Sequence, residues 1–235
     1  MKVKCIGSGS SGNCYALIDN EGKILLLDCG LPIKEIKAGI DFRVSDLAGC
    51  LVTHGHQDHC KSVEDLKRMG IPIVAPSMGY ITDQLSGGFF VNYFRLDDNE
   101  GHFVHSNGDG SECPIYGYMI LHDKEPLKLL YITDCQFIKW RFKDVNNVIL
   151  GVDYADELVP DDNKAKQLHI YSGHLSIDTA CDFIKATDSK HTLNNLIIGH
   201  MSDTASDRVL YLEKLKKATL CNIHFASKGA TYELM

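Results

Sequence analysis

The sequence predicts an α/β protein of the α+β kind, with two β-sheets packed together and helices outside. Three observations carry this. Apolar runs of strand length recur along the chain, several leading through a loop into a segment of helical periodicity. The first thirty residues hold three strand-like runs with no helix between them. The 235 residues, 44% of them hydrophobic, suffice for one substantial core, so a single domain over 1–235 without an inserted second domain is expected.

Residues 2–6 alternate polar and apolar side chains and lead into Gly7-Ser8-Gly9-Ser10-Ser11-Gly12. These glycines have dinucleotide-fingerprint spacing, yet the strand-like Cys14-Tyr15-Ala16-Leu17-Ile18 follows where a helix should open. The stretch therefore reads as a loop between paired strands. Ile24-Leu25-Leu26-Leu27-Asp28 is the next strand. Cys50-Leu51-Val52 is a short buried one that delivers Thr53-His54-Gly55-His56-Gln57-Asp58-His59. Ser62-Val63-Glu64-Asp65 reads as a capping box opening a helix over 62–69. A proline-fenced strand at 71–76 precedes a mixed stretch, 77–98, with a turn at Gly87-Gly88. Strands are predicted over 115–121, 129–132 and 148–152, the last two running into Asp134 and Asp153. Ser176 caps a helix whose apolar positions are Ile177, Ala180, Cys181 and Ile184. A strand over 196–199 delivers His200, a helix follows near 206–217, and strands near 222–226 and 231–234 close the chain.

Three imidazoles and a carboxylate within six residues of one strand-to-helix loop suit zinc, with manganese or iron as less favoured occupants. If strand geometry persists into that loop, His54, His56 and Asp58 share a face, and His59 turns with the chain into the helix. Nine scattered cysteines without a CxxC pair fit a reducing compartment and buried thiols. Cys60 and Cys135 adjoin motifs and could serve as soft ligands, but packing is the favoured reading. A formal charge of −7 argues against a generally cationic nucleic-acid binder, although bound divalent cations would offset part of it. No run has signal-peptide or membrane-spanning length, so a soluble cytoplasmic protein is expected.

The pattern His-x-His-x-Asp-His resembles the signature of the metallo-β-lactamase fold superfamily, hydrolases with a mono- or binuclear metal site. Gly-Ser-Gly-Ser-Ser-Gly-Asn, Leu-Leu-Asp-Cys-Gly and the later Gly-His-Leu-Ser resemble a small bacterial and phage branch. That branch includes a 5′-to-3′ DNA exonuclease linked to cell-wall regulation. The resemblance implies a four-layer αββα metallo-β-lactamase-type sandwich and two divalent metal ions. It places His54, His56 and His105 on one ion, and Asp58, His59 and His200 on the other. Asp134 bridges them and Asp28 stands behind the loop. His102 competes with His105 for its place. A histidine at position 56, where a glutamate would suggest diiron chemistry, keeps the reading hydrolytic.

Such a centre holds a hydroxide between cations roughly 3.5–4 Å apart and makes it nucleophilic near neutral pH. Asp58 is carried over as catalytic through this centre. His174 is left over: it contacts the scissile group or protonates the leaving oxygen, or else it is hydrogen-bonded beneath a helix start. The implied function is a metal-dependent phosphodiesterase or nuclease acting on DNA. Hydrolysis of a small ester, thioester or cyclic phosphate is the alternative, since fold does not decide substrate. A non-catalytic metal binder is disfavoured because all seven ligands are present. Candidate substrate contacts are Ser10, Ser11 and Asn13 in the glycine-rich loop, and Lys139, Trp140 and Arg141, where cations could meet phosphates and an aromatic could stack on a base. The competing reading of that second strip is a solvated edge whose aromatics face the core.

Overall fold

Two six-stranded sheets lie at the centre of the computed structural model, which describes residues 1–82, 85–97, 105–107, 109, 111–160, 171 and 173–234. The first sheet has the order β12-β1-β2-β3-β4-β5. It is built from β1 (Lys2–Gly7), β2 (Cys14–Ile18), β3 (Ile24–Leu27), β4 (Leu47–Leu51), β5 (Ile73–Val74) and β12 (Thr231–Glu233). The second has the order β11-β10-β9-β8-β7-β6. Its strands are β6 (Phe89–Arg95), β7 (Tyr116–His122), β8 (Lys128–Ile132), β9 (Asn147–Gly151), β10 (Asn195–Gly199) and β11 (Asn222–Phe225). The helices are α1 (Ile33–Gly39), α2 (Gln57–Cys60), α3 (Val63–Arg68), α4 (Ile177–Thr187) and α5 (Arg208–Leu215).

Strand alternation sorts the apolar side chains into three layers. Leu25 and Leu27 face inward and meet Tyr118, Ile120, Leu129, Tyr131 and Ile149 of the opposite sheet. Ile24 and Leu26 face outward, against Ile36 of α1 and Leu66 of α3. On the other side Leu130, Ile132, Leu150 and Ile198 pack on Ile177, Ala180 and Ile184 of α4 and on Tyr211 of α5. The result is the αββα sandwich the sequence predicts. Among the described residues, no helix is long and apolar enough to cross a membrane.

The strand pairing decides where chemistry gathers. β3 and β4 run parallel, as do β8, β9 and β10. Open sheets of parallel strands collect their polar loops at the carboxyl ends, outside the core. Asp28 follows β3, His54 follows β4, Asp134 follows β8, Asp153 follows β9 and His200 follows β10. Three of these, Asp28, Asp134 and His200, sit at φ values of 56°, 53° and 52°. In that left-handed region a non-glycine residue costs about 1–3 kcal/mol. The cost is tolerated where the chain must turn at once and aim a side chain back across the sheet ends.

Several sequence expectations are corrected. β4 stops at Leu51 and α2 begins at Gln57, so Asp58 rides on a helical turn and does not share a strand face with His54 and His56. Ser62 precedes α3 but makes no capping hydrogen bond; its Oγ donates to the Leu31 carbonyl at 2.6 Å, so the capping box is not formed. β6 arises within the stretch expected to be mixed; Phe89-Phe90-Val91-Asn92-Tyr93-Phe94 is rich in the aromatic and β-branched residues of strands, and it pairs as an edge strand with β7. His102 and His169 lie outside the described residues. All nine cysteines are free thiols. Cys60 donates to the Gly55 carbonyl, and burial pushes its thiol up to about 11; Cys135 packs in the outer core and is also pushed up by burial.

The glycine-rich loop after β1 is stitched beneath the histidine loop. Asn13 N–H donates to the Asp58 carbonyl at 2.7 Å, Gly30 N–H to Asn13 at 2.9 Å and Cys29 N–H to His59 at 2.8 Å. The fit leaves no room at Gly30, where a Cβ would lie 1.6 Å from the Asp58 carbonyl oxygen and 2.7 Å from the His59 nitrogen. Both obstacles are backbone. Gly30→Ala is therefore expected to lose about 3 kcal/mol of stability, read as a lower urea midpoint, and to lose metal with it. A wild-type midpoint would contradict this packing.

Candidate metal centre

The five parallel-strand ends converge on two groups of side chains. His54, His56 and His105 form one, and Asp58, His59, Asp134 and His200 the other. Within each group one potential ligand atom per residue lies within 4.8 Å of all the others. The His54 ring stands 4.7 Å from both His56 and His105, centroid to centroid. His105 Nε2 and His56 Nδ1 are 3.0 Å apart. His105 approaches closely because Gly173, at φ 120°, faces it; a Cβ there would lie 2.8 Å from His105 Nδ1.

Asp134 stands between the groups. Its Oδ2 lies 2.9 Å from His59 Nε2 and 3.7 Å from His54 Nε2, and its Oδ1 lies 3.1 Å from His200 Nδ1. Asp58 Oδ2 is 3.3 Å from His59 Nε2 and 3.5 Å from His200 Nε2. The side chains behind the site orient the rings. Asp28 accepts from His59 Nδ1 at 2.7 Å, from Thr53 N–H at 2.8 Å and from Tyr131 O–H at 2.5 Å. Asp153 accepts from His200 Nδ1 at 2.6 Å and from Leu175 N–H at 3.2 Å. With Nδ1 committed on both rings, each Nε2 is turned toward the carboxylates.

The donor set fits divalent metal. His54 Nε2, His105 Nδ1 and His200 Nε2 are buried without a hydrogen-bond partner, which folded proteins rarely tolerate unless another ligand satisfies them. Imidazole and carboxylate are ordinary ligands of zinc and its first-row neighbours. Proton affinities divide along the same line. Burial and the neighbouring His59 charge push His54 well below the usual histidine range, and burial pulls His105 down to about 4. Burial acts downward on His59 and His200 too, but Asp134 with Asp28 holds His59 well up, and Asp134 with Asp153 raises His200 to about 10. Burial alone would raise the Asp134 carboxyl, yet charge on His200 and His59 keeps it well below the carboxylate range. A cation in the second group would displace those protons.

His174 stands at the rim, partly exposed. Its Nε2 is 4.0 Å from Asp153 Oδ1, and its ring lies parallel to His200 at 6.2 Å. The proposed substrate contacts fare differently. Asn13 is only 1% exposed; its Nδ2 lies 3.1 Å from His59 Nε2 and donates to the Gly9 carbonyl, so it supports the metal loop. Ser10 and Ser11 are exposed on the turn, whereas Ser8 faces inward and accepts from the His200 N–H at 2.9 Å. Trp140 donates from Nε1 to the Arg95 carbonyl, Lys139 lies 5.5 Å over its ring, and Phe142 packs against Phe94 in the outer core. The small pocket beside His105 and Asp134 is lined by Cys135, Gln136 and Phe137 rather than by Lys139, Trp140 or Arg141.

Asp153 and Ser8 carry functions that sequence reasoning missed. The signal for Asp153 was present: like Asp28 and Asp134, it directly follows a buried strand. Ser8 gave none, because its role rests on contact with a residue 192 positions away. The support role of Asp28 yields a direct test. Asp28→Ala strands the Tyr131 hydroxyl and frees the His59 ring, so metal affinity is expected to fall about 10–100-fold in competition with a chelator. Unchanged affinity would contradict it.

Residues 1–71 match the family model described as the Anti-Pycsar protein Apyc1. Exodeoxyribonuclease YycJ of Bacillus anthracis is 29% identical over 158 residues, a match that spans 60% of this chain and 56% of that protein. Among solved structures, the metallo-β-lactamase fold protein YhfI from Bacillus subtilis superposes with a TM-score of 0.67 at 14% identity, over 98% of each chain. Human tRNase Z, short form, superposes with a TM-score of 0.62 at 15% identity, over 100% of each chain. The likenesses agree with the architecture and with the two side-chain groups at the sheet ends: this chain has the metallo-β-lactamase fold.

Proposed function

We propose that the protein is a metal-dependent phosphodiester hydrolase acting on DNA ends. The observation that carries the reading is the Asp134 carboxylate, within 2.9 Å of His59 in one group and 3.7 Å of His54 in the other. His54, His56 and His105 would hold one divalent cation, Asp58, His59 and His200 the second, and Asp134 both. Two such cations supply Lewis acidity toward a phosphoryl oxygen and lower the pKa of a coordinated water. The chain's own residues do the rest. Asp28 and Asp153 fix the rings of His59 and His200, and the buried sheet ends exclude bulk water from all but the rim. His174, at that rim and facing Asp153, donates a proton to the departing oxygen. Nucleic acid as substrate is supported by the likeness to a protein named as an exodeoxyribonuclease.

A second reading, hydrolysis of a small ester or cyclic phosphate, is favoured by the position of Lys139, Trp140 and Arg141 away from the pocket beside His105. One assay separates the two. End-labelled single- and double-stranded DNA and RNA are incubated with zinc- or manganese-loaded protein, with and without chelator. Stepwise shortening of DNA that chelator stops is expected. No cleavage of any nucleic acid by protein that holds its metal would shift the reading to the small-molecule hydrolase.

A further inference from the structure

A cavity of about 440 Å³ opens beside His200, and the metal groups do not account for its lining. Ser8 lines it, and its hydroxyl is in an unusual position. The Tyr15 hydroxyl, on a residue only 2% exposed, donates to Ser8 Oγ at 2.8 Å, and the His200 N–H donates to the same oxygen at 2.9 Å. A hydroxyl has two acceptor positions and one hydrogen. With the His200 N–H and the Tyr15 hydroxyl on two sides of Ser8 Oγ, the side of this hydroxyl that remains open is the cavity it lines. Gly199 keeps this arrangement possible, since a Cβ there would lie 2.2 Å from the Tyr15 hydroxyl and 2.9 Å from Ser8 Oγ.

The rest of the lining is mixed. Arg208 is the one Lys or Arg in it, held with its guanidinium 5.7 Å over the Phe225 ring and 3.4 Å from Ser227 Oγ. Asp207 is spent on capping α5, accepting from Leu210 N–H at 2.8 Å. Asp203 is exposed and able to accept from an amine or hydroxyl, and Met201 and Val209 add apolar surface. One hydroxyl, one cation, one free acceptor and an apolar wall do not match a bare anion, which Asp203 would repel. They match a nucleotide, and the volume lies in the usual range for a small-molecule site.

We propose that this cavity binds the nucleotide unit next to the scissile phosphodiester. Ser8 and Arg208 donate to phosphate oxygens, Met201 and Val209 cover the nucleoside, and Asp203 accepts from it. The proposal rests on the phosphodiesterase reading and names the subsite that reading lacks.

The test compares the p-nitrophenyl ester of thymidine 5′-monophosphate with bis(p-nitrophenyl) phosphate, which offers the same leaving group without a nucleoside. The metal-loaded wild type is expected to prefer the nucleotide, chiefly through KM. Arg208→Gln is expected to lose about tenfold of that preference, the size of one charge-assisted hydrogen bond. Ser8→Ala should lose it too, but it also removes the acceptor of the His200 N–H, so Arg208→Gln carries the decision. Equal preference in wild type and Arg208→Gln would overturn the proposal. If wild type turns over neither ester, the end-labelled DNA assay decides the phosphodiesterase reading separately, and calorimetry with thymidine 5′-monophosphate decides the cavity alone. Binding about tenfold weaker in Arg208→Gln supports the subsite. Equal binding, or none, overturns it.

Discussion

Asp134→Ala is expected to lower turnover by about a thousandfold or more, roughly 4 kcal/mol of transition-state stabilisation, and to reduce bound metal together with activity. Three features make this carboxylate the most consequential side chain in the site. It is 3% exposed, its Oδ1 receives the Thr133 hydroxyl at 2.6 Å, and its two oxygens face His59, His54 and His200. No neighbour can replace it, because it is aimed by a left-handed turn at the end of β8. Alanine also leaves the rings of His59 and His200 buried with one counter-charge fewer, so any cation in either group loses an anionic partner. The measurement is kcat with metal content on the same preparation. A variant that keeps both at wild-type level would remove Asp134 from the centre.

His174→Ala is expected to lower kcat by about 10²–10⁴-fold on substrates that leave as an alkoxide, with metal content unchanged. The residue contributes to neither metal group, and its ring lies parallel to His200 with Nε2 facing Asp153. A general acid matters in proportion to the basicity of the departing oxygen, so the same variant should lose far less on p-nitrophenyl esters. That contrast separates proton donation from a packing role beneath α4, since a misplaced helix start would depress both substrates alike. Equal losses on the two substrates would assign His174 to structure.

The αββα layering and the cluster at 54–59 were legible in the sequence because both are written locally, whereas His105, Asp134 and His200 entered through the family resemblance. Continuous apolar runs at 24–27 and 129–132 mark strands buried on both faces, and the five-residue spacing of His54 to His59 survives any loop geometry. What was not legible depends on contacts between distant segments. Asn13 looked like a phosphate contact because its loop is rich in glycine and serine, yet its N–H donates to the Asp58 carbonyl and its Oδ1 accepts from the Gly9 N–H, while the Gly12 N–H donates to the Gly9 carbonyl. In the 137–143 strip, Phe142 is taken up by Phe94 and Phe183 beneath it, as the solvated-edge reading expects, while Trp140 stays exposed with its indole N–H on the Arg95 carbonyl. Ser8 and Asp153 acquire their roles only when β1 and β9 come beside β10 and its outgoing His200.

The central claim is that one carboxylate joins two metal positions in a single site. Native mass spectrometry of wild type and Asp134→Ala, each loaded with zinc and freed of excess, tests it most directly. About two ions per chain in the wild type, falling to about one or none in the variant, is the expected result. A wild type that never binds more than one ion, or a variant that still binds two, would contradict it.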